Sequence, residues 1–232
     1  MAGLIALAVW QVHRRADKLD LIARVEARVH AAPASAPGPN RWAGISASTD
    51  EYRHVTATGV WLMDRSTLVQ ALTELGGGYW VITPLLRDDG TTILVNRGFI
   101  PPDERDSAAW RPRGANPVTV TGLLRISEPG GAFLRANDPA AERWYSRDVA
   151  AIAQVRGLGQ VAPYFIDAEP VPGESGLPVA GLTVLAFSNN HLVYALTWSA
   201  LALMAAAGAI FVNLDRLRSG WFEPRPADPR RP

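Results

Sequence analysis

The sequence predicts a membrane protein in which two transmembrane helices, the first of them short, flank a β-rich domain. That domain reads as a mainly antiparallel sheet or barrel with one or two short helices. Three observations carry this. Residues 192–212 (LVYALTWSALALMAAAGAIFV) are 21 consecutive uncharged residues. Residues 2–12 form a second apolar stretch, interrupted only by Gln11. Between 41 and 188, several segments alternate polar and apolar residues and are separated by turn signals.

The bulk numbers set limits. A chain of 232 residues has room for one sizeable domain plus accessory segments. A net charge of +1 argues against a nucleic-acid binder, which would gather basic residues on one face. With no cysteine, disulfides, thiolate metal sites and Cys nucleophiles are excluded.

Taken in order, the N-terminal apolar stretch covers roughly 17 Å as a helix, too short to span a bilayer by itself. A signal peptide would carry its basic residues in front, whereas Arg14, Arg15 and Lys18 follow, and no small-x-small cleavage site comes after. We therefore expect residues 1–13 to be a first transmembrane helix whose beginning is missing. Residues 14–30 have helical spacing, with Leu19, Ile22, Val25 and Val29 on one stripe, and continue that helix outward. Residues 31–40 read as a Pro-rich linker, so that 14–40 form a juxtamembrane helix and linker.

The domain is expected over 41–188. Strands are expected at 52–62, 78–87, 91–100 and 116–127, with further β content at 164–168 and 183–187. Asp88-Asp89-Gly90 marks a hairpin with a two-residue Asp-Gly turn. Gly76-Gly77-Gly78 reads as a turn before a strand. Asp148 as N-cap and Gly157 as stop bound a short helix.

The second span is assigned to 189–212. Its uncharged run is roughly 31 Å long as a helix, matching a bilayer core of about 30 Å. Tyr194 and Trp198 suit an interfacial position near its start. The tail, 213–232, carries Arg216, Arg218, Arg225, Arg230 and Arg231 against Asp215, Glu223 and Asp228. The positive-inside rule makes this tail cytoplasmic and the large domain periplasmic. With two spans both termini are cytoplasmic, and Arg14, Arg15 and Lys18 then lie outside, mildly against that rule.

The usual enzyme constellations are missing: no Gly-x-Ser-x-Gly elbow, His-Glu-x-x-His, phosphate-binding loop or dinucleotide fingerprint. Asp103, Glu104 and Asp106 form an acidic cluster that reads as a solvated loop more readily than a proton-transfer pair. Of the four histidines, His13, His30 and His54 read as incidental, with His54 on the solvent side of a strand. His191 stands at the outer mouth of the second span. Such a residue can simply occupy the interface, but an ionisable group at the membrane border is also a functional candidate, and imidazole is a common axial ligand of haem iron. Asn189 or Asn190 can cap the helix start. Tyr194 and Trp198, three and seven residues on, fall near the His191 face and offer an aromatic wall for a porphyrin.

Several blocks then carry a resemblance. They are Trp10-Gln11 with Arg14 and Lys18, YRHVTATG (52–59), GYWVITPL (78–85), LVNRGFIP (94–101), VTVTGLLR (118–125), Trp144-Tyr145 with Asp148, PYFIDA (163–168) and NNHLVYALTW (189–198). In this order, between two hydrophobic ends, they resemble the surfeit locus protein 1 family of cytochrome c oxidase assembly factors. The sequence departs from the family pattern at Phe99-Ile100, at Ser199 and in the shortness of its first span. The resemblance implies a multi-pass protein of the bacterial inner membrane that is not an enzyme. It implies binding of haem a as a chaperone and help with its insertion into subunit I of an aa3-type oxidase. Partners would be cytochrome c oxidase subunit I, a haem a synthase and membrane lipid, with no nucleic acid. Carried over, His191 is the haem iron ligand, with Trp10, Gln11, Tyr194 and Trp198 lining the porphyrin. The alternative is a haem-free scaffold that holds the nascent oxidase subunit. Asn96-Arg97-Gly98 is open between a partner grip and a structural role, in which Gly98 permits a bulge and Asn96 bonds locally.

Overall fold

The computed structural model describes residues 2–111, 116–132, 134–173, 176–183 and 190–219, the last four by backbone only. In chain order its elements are α1 (Ala2–Val29), β1 (Ala34–Ser35), α2 (Pro39–Trp42), α3 (Ala47–Asp50), β2 (His54–Trp61), β3 (Thr67–Thr73), β4 (Gly76–Leu86), β5 (Thr92–Ile100), β6 (Val118–Ile126), β7 (Gly131–Ala132), β8 (Arg135–Ala136), α4 (Val149–Val155), β9 (Val161–Ala168) and α5 (His191–Ser219). The chain divides into two compact units. One is drawn from its two ends, up to Ala23 and from Ala186; the other is Arg24–Leu185.

The second unit is a closed five-stranded barrel. Strand order is β1-β2-β6-β9-β5-β4-β3, and β2 also pairs with β4 through Val60–Leu86 and Trp61–Leu85, closing the ring β2-β6-β9-β5-β4. The pairings are antiparallel except β5–β9 and the two-residue β1–β2. The expected mainly antiparallel sheet or barrel is thus the architecture found.

Alternation builds the interior. Val55 and Ala57 from β2, Leu85 from β4, Ile93 and Val95 from β5, Val120 and Leu124 from β6, and Ala162, Tyr164 and Ile166 from β9 pack into one core. Every second side chain of a strand faces inward, so all five staves contribute. The intervening residues Ile82, Leu94 and Phe165 face outward, where Val149 and Ile152 of α4, Val69 of β3 and Trp144 cover them. Asp148 caps α4 as expected, its carboxylate accepting from the Ala151 N–H. Gly157 follows at φ +58°.

Strands β2, β4, β5, β6 and β9 lie where the sequence placed them. Strand β3 was not foreseen. It forms a hairpin with β4 in which Thr73 pairs with Gly76, leaving Glu74-Leu75 as the loop. Gly76-Gly77-Gly78, read as a turn, is therefore the start of β4. The Asp88-Asp89-Gly90 connection is three residues long rather than two. Arg87 N–H donates to Thr91 O, Gly90 N–H donates to Arg87 O, and Gly90 takes φ +77°, a turn closed by a left-handed glycine.

Segment 31–40 is held against the barrel. Ala36 N–H donates to Thr56 O. The buried Tyr164 hydroxyl donates to Pro37 O at 2.7 Å and the Trp42 indole N–H donates to the same oxygen at 2.9 Å. Prolines explain why this stretch pairs so briefly: they lack the N–H a longer β1 would need. The expected strand at 183–187 lies mostly outside the described residues.

Residues 2–29 are one continuous helix, as the helical spacing of 14–30 predicts, and its part up to Ala23 belongs to the first unit. Among the described residues, His191–Asp215 is the segment long and apolar enough to cross a membrane. The start of α1 blends into the charged stretch after Gln11, so a first span there rests on the proposal below.

Candidate functional site

The two units each hold one arrangement of polar groups that needs explaining.

In the first unit, α1 and α5 are brought together over 180 residues of sequence by a side-chain hydrogen bond, His191 Nδ1 to Gln11 Oε1 at 2.8 Å. Gln11 is 9% exposed, and among the described residues of this unit it is the buried polar side chain. Ala8, Ala195 and Ala202, also buried, let the two helices approach. A buried amide between apolar helices is costly unless paired, and His191 is its partner. An amide oxygen accepts, so the ring N–H sits on Nδ1 and the Nε2 lone pair is left available.

Trp10 and Tyr194 are about half exposed, and Trp198 is partly buried. Asn190 contributes to the helix start through its backbone, its carbonyl accepting from Tyr194 N–H at 3.2 Å. Asn189 lies outside the described residues. Elsewhere, His13 and His30 are exposed. His54 is less solvated than its strand position suggested. Its ring is 15% exposed, with Nε2 3.1 Å from Glu169 Oε1 and Nδ1 2.7 Å from Ala31 O. Asp103, Glu104 and Asp106 lie in and just after a surface turn.

In the barrel unit, a cavity of about 420 Å³ is lined by Asn96, Arg125, Arg147, Asp167, Trp80 and Thr183, among others. Asp167, 3% exposed, is its floor. One carboxylate oxygen accepts from Asn96 Nδ2 at 2.8 Å and Arg147 Nη1 at 3.1 Å, the other from Arg125 Nη1 at 2.7 Å and Thr183 Oγ1 at 3.1 Å. Outer carboxylates complete the cluster: Arg125 Nε donates to Glu51 at 2.8 Å and Arg147 Nε to Glu128 at 3.0 Å. Aromatic faces hold the guanidinium planes, with Arg125 4.9 Å from Tyr52 and Arg147 4.7 Å from Phe165.

Burial disfavours the charge on Arg125, but Asp167 and Glu51 outweigh it and its pKa is raised. Burial likewise opposes the Glu128 carboxylate, yet the hydrogen bonds and charge of Arg147 hold its pKa below the ordinary 4.5. Three carboxylates face two guanidiniums, so the cluster has no unmet demand for an anion. It acts as a clamp across β5, β6, β9 and the segment before α4.

The Asn96-Arg97-Gly98 block takes the structural role. Trp80 pairs with Phe99 but Ile82 pairs with Asn96, so Arg97 and Gly98 together oppose Val81 in a bulge. Asn96 Oδ1 accepts from Gly98 N–H at 3.1 Å, while its amide binds Asp167. Arg97 donates to Trp110 O at 2.8 Å and lies over the Trp61 ring. Gly98 sits at φ +132° against the Val179 carbonyl, leaving no space for a Cβ.

The clamp was missed in the sequence although its members stand in quoted blocks. Tyr52, Asn96, Arg125 and Asp167 fall in YRHVTATG, LVNRGFIP, VTVTGLLR and PYFIDA. The available signal was a charge inside an apolar strand, as at Arg125 and Asp167, because such residues are buried almost only in pairs.

Comparison with known proteins agrees with the resemblance. The SURF1 family model matches residues 1–203. Surfeit locus protein 1 of Homo sapiens is 35% identical over 216 residues, covering 84% of this chain and 69% of that protein. Surfeit locus protein 1 of Mus musculus is 34% identical over 215 residues, covering 85% of this chain and 68% of that protein. A SURF1-like protein of Monosiga brevicollis is 34% identical over 241 residues, covering 95% and 87% respectively. The chain belongs to the SURF1 family of cytochrome c oxidase assembly factors, which are not enzymes.

Proposed function

We propose that this chain carries haem a as transient cargo and assists its insertion into subunit I of cytochrome c oxidase, with His191 as the axial ligand of the iron. The supporting observation is the bond from His191 Nδ1 to the Gln11 carbonyl oxygen at 2.8 Å. Ligation needs a neutral imidazole with one free lone pair, and a hydrogen bond at the other nitrogen fixes that tautomer and the ring direction. His191 therefore fits the group. Gln11 is a neutral acceptor, so it orients the ring without the extra basicity a carboxylate would lend. A carrier that must release its cargo benefits from such a ligand.

In this reading Gln11 positions His191 rather than touching the porphyrin. Trp10, Tyr194 and Trp198 offer aromatic surface to the macrocycle. The haem supplies no chemistry here, because it is the transported molecule. The protein lies in the bacterial inner membrane with α1 as a first span, α5 as the second, both ends cytoplasmic and the barrel periplasmic. A haem a synthase would load it, and the barrel would meet the oxidase subunit. Protein purified from cells that make haem a should show a Soret band that His191→Ala removes. An unchanged band in that variant would refute the ligand assignment. Co-purification with oxidase subunits without any haem would favour the scaffold alternative.

A further inference from the structure

The cavity above the Asp167 clamp opens beside an unfinished edge of the sheet. Leu72, Thr73 and Glu74 of the β3–β4 hairpin line its rim. Trp80 forms a wall, its ring set edge-on to Phe99 with centroids 6.1 Å apart. Strand β3 stands last in the strand order of the sheet. Over Thr67–Thr73 it carries no charge and no proline. Natural sheets blunt such an edge with lysine, with proline or by keeping the strand very short. The opposite edge of this sheet is blunted in that way, since β1 has two residues and lies between Pro33 and Pro37.

The one covering contact on β3 starts and stops at once. Val69 bridges Trp144 in parallel, and Gln70 N–H donates to Trp144 O at 2.8 Å. The covering chain then turns away, because Tyr145 N–H and Ser146 N–H both donate to Asn137 Oδ1, at 2.8 and 3.2 Å. Gln70 points its N–H away from β4, and the β3–β4 register runs unbroken, so Leu72 points its own N–H and C=O the same way. Among the described residues these two groups have no hydrogen-bond partner, and the Leu72 side chain is 88% exposed.

The charges of the cavity favour a cation. Its two guanidiniums, on Arg125 and Arg147, are engaged by Asp167, Glu51 and Glu128. Glu74 at the rim is exposed and adds a fourth carboxylate. The Trp80 face beside it is a further attraction for a positive group.

The geometry points to β3 as a docking edge, to which an extended segment of a partner protein adds as a strand beyond Trp144 and sends a lysine or arginine into the cavity. Main-chain bonds to Leu72 supply the register, and alternate side chains supply the specificity. A residue level with Thr73 shares the face of Val69 and Trp80, toward the cavity, while one level with Leu72 lies on the other face, beside that exposed leucine. The recognised segment therefore alternates basic and apolar residues. A second copy of this chain would offer its own β3, which has no basic residue for the cavity.

The test uses the full chain in detergent, without haem, so the carrier reading can fail without touching this one. The probe is a fluorescently labelled peptide, Thr-Val-Lys-Val-Lys-Val-Thr, whose binding is read by anisotropy. It should bind at least about tenfold more tightly than the same peptide with glutamates in place of the lysines, a preference that shrinks with added salt. Glu74→Lys should remove most of that preference. Leu72→Pro deletes the outward N–H while leaving the pairing with β4 intact, so it should weaken the lysine peptide at least about tenfold at an unchanged Tm. If Leu72→Pro lowers Tm, Leu72→Lys, which blunts the edge by charge, makes the same comparison. Equal affinities for the two peptides, or wild-type affinity in a folded Leu72 variant, would overturn the proposal. So would a wild-type dimer that Leu72→Pro converts to monomer, since a second copy would then hold the edge.

Discussion

A single change at Asp167 reaches four hydrogen-bond partners in the barrel at once. Asp167→Asn preserves shape but replaces one carboxylate oxygen with an amide donor. The wild-type carboxylate accepts from Asn96 and Arg147 on one oxygen and from Arg125 and Thr183 on the other. Only the Thr183 hydroxyl can turn to accept, so whichever way the amide points, at least one guanidinium at about 3 Å meets an N–H. Charge-assisted hydrogen bonds contribute about 1.5–3 kcal/mol each, and breaking a buried pair costs about 3–5 kcal/mol. Glu51 and Glu128 remain as partners of the arginines and moderate the loss, so we expect about 3 kcal/mol. For a domain of this size that lowers Tm by about 6–12 °C. The assay is thermal and urea unfolding followed by tryptophan fluorescence, to which Trp80 and Trp144 report from nearby. Arg125→Met should cost a similar amount, and the double variant clearly less than the sum, because the two residues share one interaction. A loss below about 0.5 kcal/mol for Asp167→Asn, or strict additivity, would refute the clamp.

Other consequences can be measured directly. The Glu128 pKa lies below its ordinary 4.5 in the folded state, so its contribution is complete above that value and is lost as pH falls through the folded value. Glu128→Gln should flatten this acid limb in unfolding curves recorded between neutral pH and pH about 3. Gly98→Ala places a Cβ against the Val179 carbonyl at a left-handed φ and should cost about 3 kcal/mol or more, seen as a fall in Tm. Gly90→Ala, at φ +77° but in open space, should cost only about 1 kcal/mol, and Gly90→Asn less. Tyr164→Phe removes one of two donors to Pro37 O. It should cost about 0.5–1 kcal/mol and speed amide exchange at Ala36.

The barrel was legible because its strands follow local rules. β5 opens with the apolar run Ile93–Val95 and closes with Phe99-Ile100, β4 and β5 are joined by an Asp-Gly turn, and Asp148 and Gly157 bound α4. Strand β3 was hidden because its apolar residues lie on both faces, Val69 buried on one and Leu72 at 88% exposure on the other, so residue type does not follow the period of two that burial does. The parallel β5–β9 pairing was not legible either. It joins residues about seventy apart, and no local signal encodes a crossover of that length. His191 could be singled out because it borders a long uncharged run. Its bond to Gln11 could not, since it depends on how two helices turn toward each other. The clamp needed four segments at once, and a lone charge in a strand does not name its partners.

The Arg97–Gly98 bulge fixes something other than residue identity. Before it, Ile93 and Val95 fill the barrel while Leu94 points outward. After it, Phe99 pairs with Trp80 and Ile100 packs with Val81 and Trp110. Because a strand reverses faces at each step, one added residue resets odd and even. Deleting either bulge residue would turn the end of β5 inside out, including the segment that holds Val179. At this point the chain is constrained in parity as well as in composition: Gly98 cannot take a side chain, and the length cannot change by one residue.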